Sequence, residues 1–265
     1  MNSHQSLDGR RRLAWTLGVA LMVLVPVVAS LHAADDPIAI VKEAQRRTEA
    51  KSERYDGTLK SFDVSNKVTE KRWSYERLGS HGQSKSIIRF TAPAEVKGVA
   101  LLIVNHPDRA SDQWMWTPAI ERDRRIAFQD RSTRFFGTDF SFEDLEERDV
   151  DQFDYAVLPD ETVDGATCWA IQSTPKAGKT SQYTKSIFWI RKDNYSYVRI
   201  DMFVKGDVVR RLTYAAVRDV QGILTAHTLT MADLRRNSRT ELTLEKVQYN
   251  LPLKDEGFTL QAIRQ

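Results

Sequence analysis

The feature that most constrains this chain is an alternation of apolar and polar side chains with a period of two. The alternation is clearest in Tyr197–Val204 and in residues 241–249, and it recurs in residues 186–191 and 224–234. Successive side chains of a β-strand point to opposite faces, so this pattern predicts strands that bury one face only. The fold must therefore contain a large sheet with a covered apolar face.

Turn signals separate these predicted strands at short intervals. Gly, Asn and Asp adopt the backbone conformations that tight turns need, and they cluster here at residues 165, 176–178, 192–194, 206–207 and 221–222. Strands that follow one another through short turns are typical of a meandering antiparallel sheet. One amphipathic helix is predicted over residues 37–51, with Asp36 as its N-cap and Pro37 in the first turn.

A single helix covers only a small part of the apolar face of a sheet with this many strands. A sheet with one apolar face must bury that face against something, and strong curvature around the helix would do so. The predicted fold class is therefore α+β, mainly antiparallel β, with an apolar interior. That interior could be packed solid or could hold a ligand, and the pattern of residues leaves both alternatives open.

The N-terminus has the pattern of a secretory signal peptide. Arg10, Arg11 and Arg12 precede an apolar run over residues 13–28, and small residues follow up to Ala34. The run is shorter than the ~20 residues of a membrane-spanning helix, and Pro26 interrupts it. We therefore predict a leader at residues 1–33 and a single exported domain at residues 34–265. The alternative is an uncleaved membrane anchor.

The charge balance gives no reason to expect a nucleic-acid partner. The leader holds three of the 39 basic and one of the 36 acidic residues, so the remainder carries a net charge of +1. Cys168 is the only cysteine, so no internal disulfide can form even in an oxidising compartment. Its place in an alternating segment predicts a buried strand thiol rather than a nucleophile.

The chain lacks the motifs of a typical enzyme. Beyond the leader its histidines are His81, His106 and His227, and none has a His or Cys partner at metal-ligand spacing. There is no nucleophile elbow and no Gly-rich phosphate loop. The acidic residues within 143–151 lack the spacing of a calcium loop, and we interpret them as a solvated polar segment. The sequence predicts no catalytic residue, no metal and no cofactor, with a hydrolase of unrecognised type as the alternative.

Charged and aromatic residues crowd the middle of the chain. The arginines Arg122, Arg124, Arg125, Arg131 and Arg134 indicate either solvated strand faces or a surface that docks on anionic headgroups or an acidic partner. Four phenylalanines then surround one glycine within residues 135–142. This density favours a loop that folds over an apolar opening. We predict that this lid consists of Phe135, Phe136, Gly137, Phe140 and Phe142.

Three segments carry a resemblance to a known family: "FTAPAEVKGVALLIVN" at 90–105, "DQWMWTPAIERDRRIA" at 112–127 and "FFGTDFSFEDL" at 135–145. They resemble the LolA-like group of outer-membrane lipoprotein-sorting proteins. The match continues through 164–176, 188–195 and 249–260. The resemblance implies an unclosed antiparallel β-barrel with a helical lid over an apolar cavity. It also implies a periplasmic protein that binds the acyl chains of lipids or lipoproteins.

The expected function is that of a non-enzymatic periplasmic carrier, which moves a lipid or lipoprotein between the envelope membranes. The alternative is an envelope regulator that senses lipid or lipoprotein and binds a membrane partner. For a carrier, the resemblance implies an inner-membrane exporter of hydrophobic molecules and an outer-membrane acceptor as partners. The residues predicted to line the cavity are Leu101, Ile103, Trp114, Trp116, Val198, Ile200, Met202, Leu242 and Leu244.

Overall fold

The structure is a computed structural model that describes residues 35–107 and 109–265. The predicted leader lies outside the described residues. One α-helix, α1, spans Pro37–Arg46. Thirteen strands follow: β1 (Ser52–Phe62), β2 (Val68–Ser80), β3 (Gln83–Ala92), β4 (Ala100–Val104), β5 (Asp112–Thr117), β6 (Arg122–Arg125), β7 (Phe153–Val163), β8 (Ala166–Pro175), β9 (Lys185–Arg191), β10 (Tyr197–Val204), β11 (Asp207–Val220), β12 (Ile223–Asp233) and β13 (Ser238–Tyr249).

All the strands belong to one antiparallel sheet, in the order β6-β5-β4-β3-β2-β1-β13-β12-β11-β10-β9-β8-β7. Two meanders, β1–β6 and β7–β13, join where β1 pairs with β13. The sheet does not close, because β6 and β7 stand at opposite edges. The prediction of a mainly antiparallel, unclosed barrel is therefore confirmed.

Helix α1 begins as predicted but ends earlier. The Asp36 carboxylate accepts a hydrogen bond from the Ile38 amide at 2.9 Å, which makes it the N-cap. After Arg46 the chain turns, and the Thr48 hydroxyl donates to the carbonyl of Gln45 at 3.0 Å. Residues 47–51 therefore connect α1 to β1, and the prediction that the helix reaches residue 51 was wrong. None of the helices in the described ranges is long and apolar enough to cross a membrane.

The apolar face of the sheet, here called the inner face, runs through both meanders. Leu59, Leu242 and Leu229 are cross-strand neighbours on β1, β13 and β12. Ile200 pairs with Leu212 on one side and Phe188 on the other. Helix α1 covers only one end of this face, where Ile40, Val41 and Ala44 pack against Trp169, Ile171, Phe188 and Ile190. Another element must therefore cover the rest.

The opposite, outer face is polar along much of its length but has two apolar areas. The C-terminal residues Phe258 and Ile263 pack over Ile87, Ala100 and Leu102 of β3 and β4. A second cluster surrounds Cys168, which is fully buried on β8. Burial raises the pKa of this thiol, and the prediction of a buried strand cysteine is confirmed.

Candidate functional site: the inner face and the segment that crosses it

The rest of the inner face is covered by the connection between the two edge strands. Because β6 and β7 lie at opposite edges, residues 126–152 must travel from one side of the open sheet to the other. We call these residues the crossing segment. Its side chains contact β2, β3, β8, β11 and β13. The topology of the chain thus places the predicted lid inside the curve of the sheet.

Phenylalanines of the crossing segment fill the half of the inner face formed by β1–β5 and β13. The Phe135 ring stacks on Phe90 of β3 with centroids 5.4 Å apart, and it meets Phe142 edge-on at 5.6 Å. Phe136 also contacts Phe90, at 5.3 Å. Phe135 and Phe142 are buried, and the remaining void beside them is ≈ 20 Å³. A void of that size holds about one water molecule, so this half of the interior is closed.

A tight turn at Gly137 carries these rings. Gly137 has a φ of +74° and Phe136 a φ of +46°, so the backbone lies in the left-handed region at both residues. The Thr138 hydroxyl donates to the carbonyl of Phe135 at 2.6 Å. The buried carboxylate of Asp139 receives Arg134 at 2.7 Å and the Thr240 hydroxyl of β13 at 2.7 Å. The buried carboxylate of Asp139 therefore attaches the turn to β13.

A second polar anchor lies beyond the turn. The Asp144 carboxylate pairs with Arg210 of β11 at 2.7 Å, and both side chains are at least 90% buried. The Tyr183 hydroxyl donates to Asp144 at 2.7 Å and accepts from Arg210 at 2.9 Å. Burial among these groups raises the pKa of Tyr183 well above its usual range. The three side chains form a closed set of hydrogen bonds across the interior.

Two further carboxylates complete the attachment. Glu146 pairs with Arg131 at 2.8 Å and accepts from the Gln113 amide at 2.8 Å, and burial raises its pKa. Glu147 accepts from the Ser84 hydroxyl of β3 at 2.7 Å. The interpretation of the acidic stretch as a solvated segment was therefore wrong for Asp144, Glu146 and Glu147, whereas Asp151 is exposed. These partners lie far away in sequence, so a local charge pattern could not reveal them.

A cavity remains under the other half of the inner face. It measures ≈ 210 Å³ and lies between the acidic part of the crossing segment and strands β9–β12. Phe140, Met202, Leu212 and Met231 form the apolar cluster beside it. Its lining also includes Ile200, Tyr214, Ser186, Lys179, Lys185 and Arg148. The cavity thus combines an apolar floor with charged groups at its border.

Six of the predicted wall residues lie on the inner face. Leu101, Ile103, Leu242 and Leu244 belong to the cluster that packs against Phe135 and Phe142. Ile200 and Met202 line the cavity. Among the predicted lid residues, Phe135, Phe140 and Phe142 are buried and Phe136 is half-buried. Ligand binding by the wall and movement of the lid stay predictions.

Val198 does not share a face with Ile200 and Met202, and that expectation was wrong. The pairing of β10 with β9 shifts between Tyr197 and Arg199, so one residue is inserted into the alternation. A bulge of this kind reverses the faces on one side of it. Val198 consequently packs on the outer face with Cys168 and Trp189.

Trp114 and Trp116 also lie on the outer face, so their assignment to the same wall as Leu101 and Ile103 was wrong. In the register of β4 and β5, Trp114 pairs with Leu102 and Trp116 with Ala100. Paired residues of neighbouring strands point to the same side, so the tryptophans belong with the outward set. The two rings pack near the C-terminal segment instead.

The predicted basic cluster consists of an exposed part and a part that is paired in the interior. Arg122, Arg124 and Arg125 are exposed on the edge strand β6. Arg131 is buried against Glu146 and Arg134 is half-buried against Asp139. Within residues 35–107 and 109–265, no group of three or more His, Cys, Asp or Glu side chains could hold a metal ion.

Comparisons with known proteins agree with this architecture. A domain from Vibrio parahaemolyticus named for outer-membrane lipoprotein sorting superposes with a TM-score of 0.81, at 24% identity, over 86% of this chain and 98% of that chain. A DUF1329 family protein from Desulfovibrio piger gives a TM-score of 0.81, at 25% identity, over 86% and 97%. A LolA superfamily protein from Nitrosomonas europaea gives 0.66, at 17% identity, over 83% and 97%.

Among curated protein sequences, none matches the chain at a significant level. A family model with the description "Uncharacterized protein" matches residues 82–265, which include β3–β13 and the whole crossing segment. The chain belongs to that family, and its fold is LolA-like.

Proposed function

We propose that this protein is an exported carrier that binds an acyl chain on its inner face and moves it between the membranes of the cell envelope. One observation carries the proposal: a continuous apolar face is covered, over much of its width, by a connection that polar anchors attach to the sheet. A cover attached in this way can be displaced without unfolding the sheet. The LolA-like fold supports the same conclusion.

The volumes indicate that binding requires displacement. Pockets for drug-sized ligands measure about 300–1,000 Å³, and the cavity measures ≈ 210 Å³. An acyl chain must therefore replace part of the crossing segment, starting with Phe140 or Phe135. Burying each methylene recovers ~0.8 kcal/mol, but uncovering the phenylalanines costs free energy of the same kind. Such an exchange keeps the net affinity low enough for release.

In this proposal the wall consists of Leu101, Ile103, Ile200, Met202, Leu242 and Leu244. The lid consists of Phe135, Phe136, Gly137, Phe140 and Phe142, and Gly137 gives the backbone its freedom to move. The carrier needs no catalytic group. Residues 1–33 act as the leader, and mass measurement of the exported protein should show their loss. An inner-membrane exporter of hydrophobic molecules and an outer-membrane acceptor are the proposed donor and receiver.

The test places a charge in the cavity. Ile200→Arg puts a guanidinium where the acyl chain would lie, so uptake of a fluorescent fatty acid should fail. Val217→Arg on the same strand pair, at a side chain 40% exposed, is the matched control and should bind normally. Folding of both variants is checked by circular dichroism. Undiminished uptake by folded Ile200→Arg would contradict the proposal, and collapse of its fold would identify a solid core at this position.

A further inference from the structure

The crossing segment contains a cation that has no carboxylate partner. The Arg148 guanidinium donates from Nη2 to the Ser173 hydroxyl at 2.9 Å, while its Nε is buried without a hydrogen-bond acceptor. Across the described ranges, its nitrogens form no ion pair with an Asp or Glu within 4.0 Å. Arg148 as a whole is half-buried, but a charge whose Nε is fully buried without a counter-charge destabilises a fold, so its presence requires an explanation.

Other arginines in the interior form an ion pair with a carboxylate. Arg131 and Arg210 each meet a carboxylate, at 2.8 Å and 2.7 Å. Arg77 contacts Glu53 at 3.1 Å. Arg148 departs from that pattern although it lies in the same segment as Arg131.

Two aromatic rings lie against the Arg148 guanidinium. Its guanidinium lies 3.9 Å from the ring centre of Phe153 and 4.7 Å from that of Phe188. The buried Tyr155 hydroxyl is next to Ser173 and Arg148 but has no well-formed hydrogen bond. Burial lowers the pKa of Arg148. Two polar groups without a full set of hydrogen bonds thus lie side by side, and of the two only Arg148 also lines the cavity.

None of the carboxylates around the cavity lies within 4.0 Å of the Arg148 nitrogens, and Glu143 acts on Arg148 only from a longer distance. Five carboxylates border the cavity, and each already accepts hydrogen bonds from other groups. Their donors include Ser181 for Glu143, Arg210 for Asp144, Gln113 for Glu146, Ser84 for Glu147 and Gln152 for Asp149. Lys179 and Lys185 add positive charge to the same lining.

A hydrogen bond from α1 fixes the backbone at Arg148. The Gln45 side chain of α1 donates to the Arg148 carbonyl at 2.9 Å. Arg148 lines the cavity together with Ile200, Met202 and Leu212, so the cation and the apolar floor face one space. A molecule that fits both must have an anionic head and an apolar tail.

We infer that the ligand of this protein carries an anionic oxygen group, a carboxylate or a phosphate, and that Arg148 binds this group while the tail lies along Ile200 and Met202. The inference rests on the proposed carrier function. It deepens that function by naming the chemical class of the ligand. Charge-assisted hydrogen bonds from a guanidinium suit both groups, because its planar donors match two oxygens at once.

The experiment compares three probes of equal chain length on the full exported protein: palmitate, hexadecanol and hexadecyl phosphate. Each competes with a fluorescent acyl probe. The unaltered protein should bind at least one of the anions about ten- to hundred-fold more tightly than the alcohol, as expected for a hydrogen bond to a charged group. The tighter of the two anions distinguishes a fatty-acid ligand from a phosphate headgroup.

Arg148→Met should abolish this preference, because it keeps an unbranched apolar stem but removes the guanidinium. Arg148→Lys should keep part of it. Arg235→Met, at an exposed turn, is the matched control and should leave it unchanged. Without ligand, the Tm of Arg148→Met should equal or exceed that of the unaltered protein, since an unpaired buried charge is removed.

Two results would overturn the inference. One is equal affinity of the unaltered protein for the alcohol and both anions, which decides the matter even if Arg148→Met does not fold. The other is a preference for the anion that survives in folded Arg148→Met. Failure of the unaltered protein to bind any of the three probes is a different result, because it contradicts the proposed carrier function itself.

Discussion

The two halves of the inner face are covered by the same segment in different ways. Under β1–β5 and β13, Phe135 and Phe142 leave a void of only ≈ 20 Å³. Under β9–β12, Asp144 pairs with Arg210 of β11 and a cavity of ≈ 210 Å³ remains. Polar anchors hold the segment under both halves, through Thr240 of β13 and Ser84 of β3 in the first and through Arg210 of β11 in the second. We call the first half, which rings fill, the aromatic half, and the second, where Asp144 and Arg210 border an open cavity, the polar half.

From this difference we expect the two halves to have different roles in the proposed binding of a ligand. Apolar packing is non-directional, so in the proposed carrier an acyl chain would replace Phe135 at little net cost. Buried ion pairs are directional and need their partners, so they return the segment to one position after each exchange. The comparison therefore predicts that the aromatic half controls how much ligand enters, and that the polar half controls whether the segment closes correctly.

The largest expected effect comes from emptying the aromatic half. Phe135→Ala should lower the free energy of unfolding by about 3–5 kcal/mol, because it removes a fully buried ring. The vacated volume joins the existing void, so uptake of a fluorescent fatty acid should increase. Denaturant titration and probe binding measure the two effects.

Phe128→Ala is the control in the same segment, at a side chain that is 46% exposed. It should change the stability by about 0.5 kcal/mol at most. If Phe135→Ala lowers uptake together with stability, the ring is part of the binding wall and does not act as a replaceable plug.

A smaller effect is expected from the polar half. Asp144→Ala leaves buried Arg210 without its ion-pair partner and with the Tyr183 hydroxyl as its remaining hydrogen bond, which should cost about 3 kcal/mol in denaturant titrations. Asp56→Ala breaks the exposed pair with Lys246 and should cost at most about 1 kcal/mol. Adding Arg210→Met to Asp144→Ala should recover part of the loss. Additive losses in the double variant would show that the pair does not hold the segment.

The smallest expected effect tests whether the turn at Gly137, between the two halves, acts as a hinge. Gly137→Ala should cost about 1 kcal/mol, because Gly137 has a φ of +74° and a Cβ there would meet no neighbouring atom. Gly178→Ala, at a φ of +87° in equally open space, should cost the same. Stopped-flow fluorescence should show slower uptake for Gly137→Ala alone. Equal uptake rates in both variants would mean that the turn at Gly137 is not the hinge.

Local pattern predicted the strands well and the site only in part. The period of two was enough to predict β10 at its observed bounds and to locate β9, β12 and β13, since each of these strands buries one face. It misassigned Val198 because the bulge depends on pairing with β9, which a single strand does not reveal. Trp114 was misassigned because apolar residues occupy both faces of β5, and only the C-terminal segment explains the outer one.

The polar anchors were beyond prediction for a different reason. Asp144 and Arg210 are 66 residues apart, and Glu147 and Ser84 are 63 apart. In the sequence, each of these side chains resembles an ordinary surface residue, because its partner becomes its neighbour only in the folded structure. Arg148 was equally hidden, since its distinguishing property is the lack of a carboxylate, which only the three-dimensional arrangement shows.

A sheet that stays open has two edges, and each could template the addition of a foreign strand. Here β6 is four residues long and reads Arg-Asp-Arg-Arg, a sequence that repels hydrophobic strands. Edge strand β7 carries Pro159, which lacks an amide donor, and its pairing with β8 shifts between Leu158 and Glu161. The two open edges of the sheet are thereby made poor seeds for amyloid-like growth.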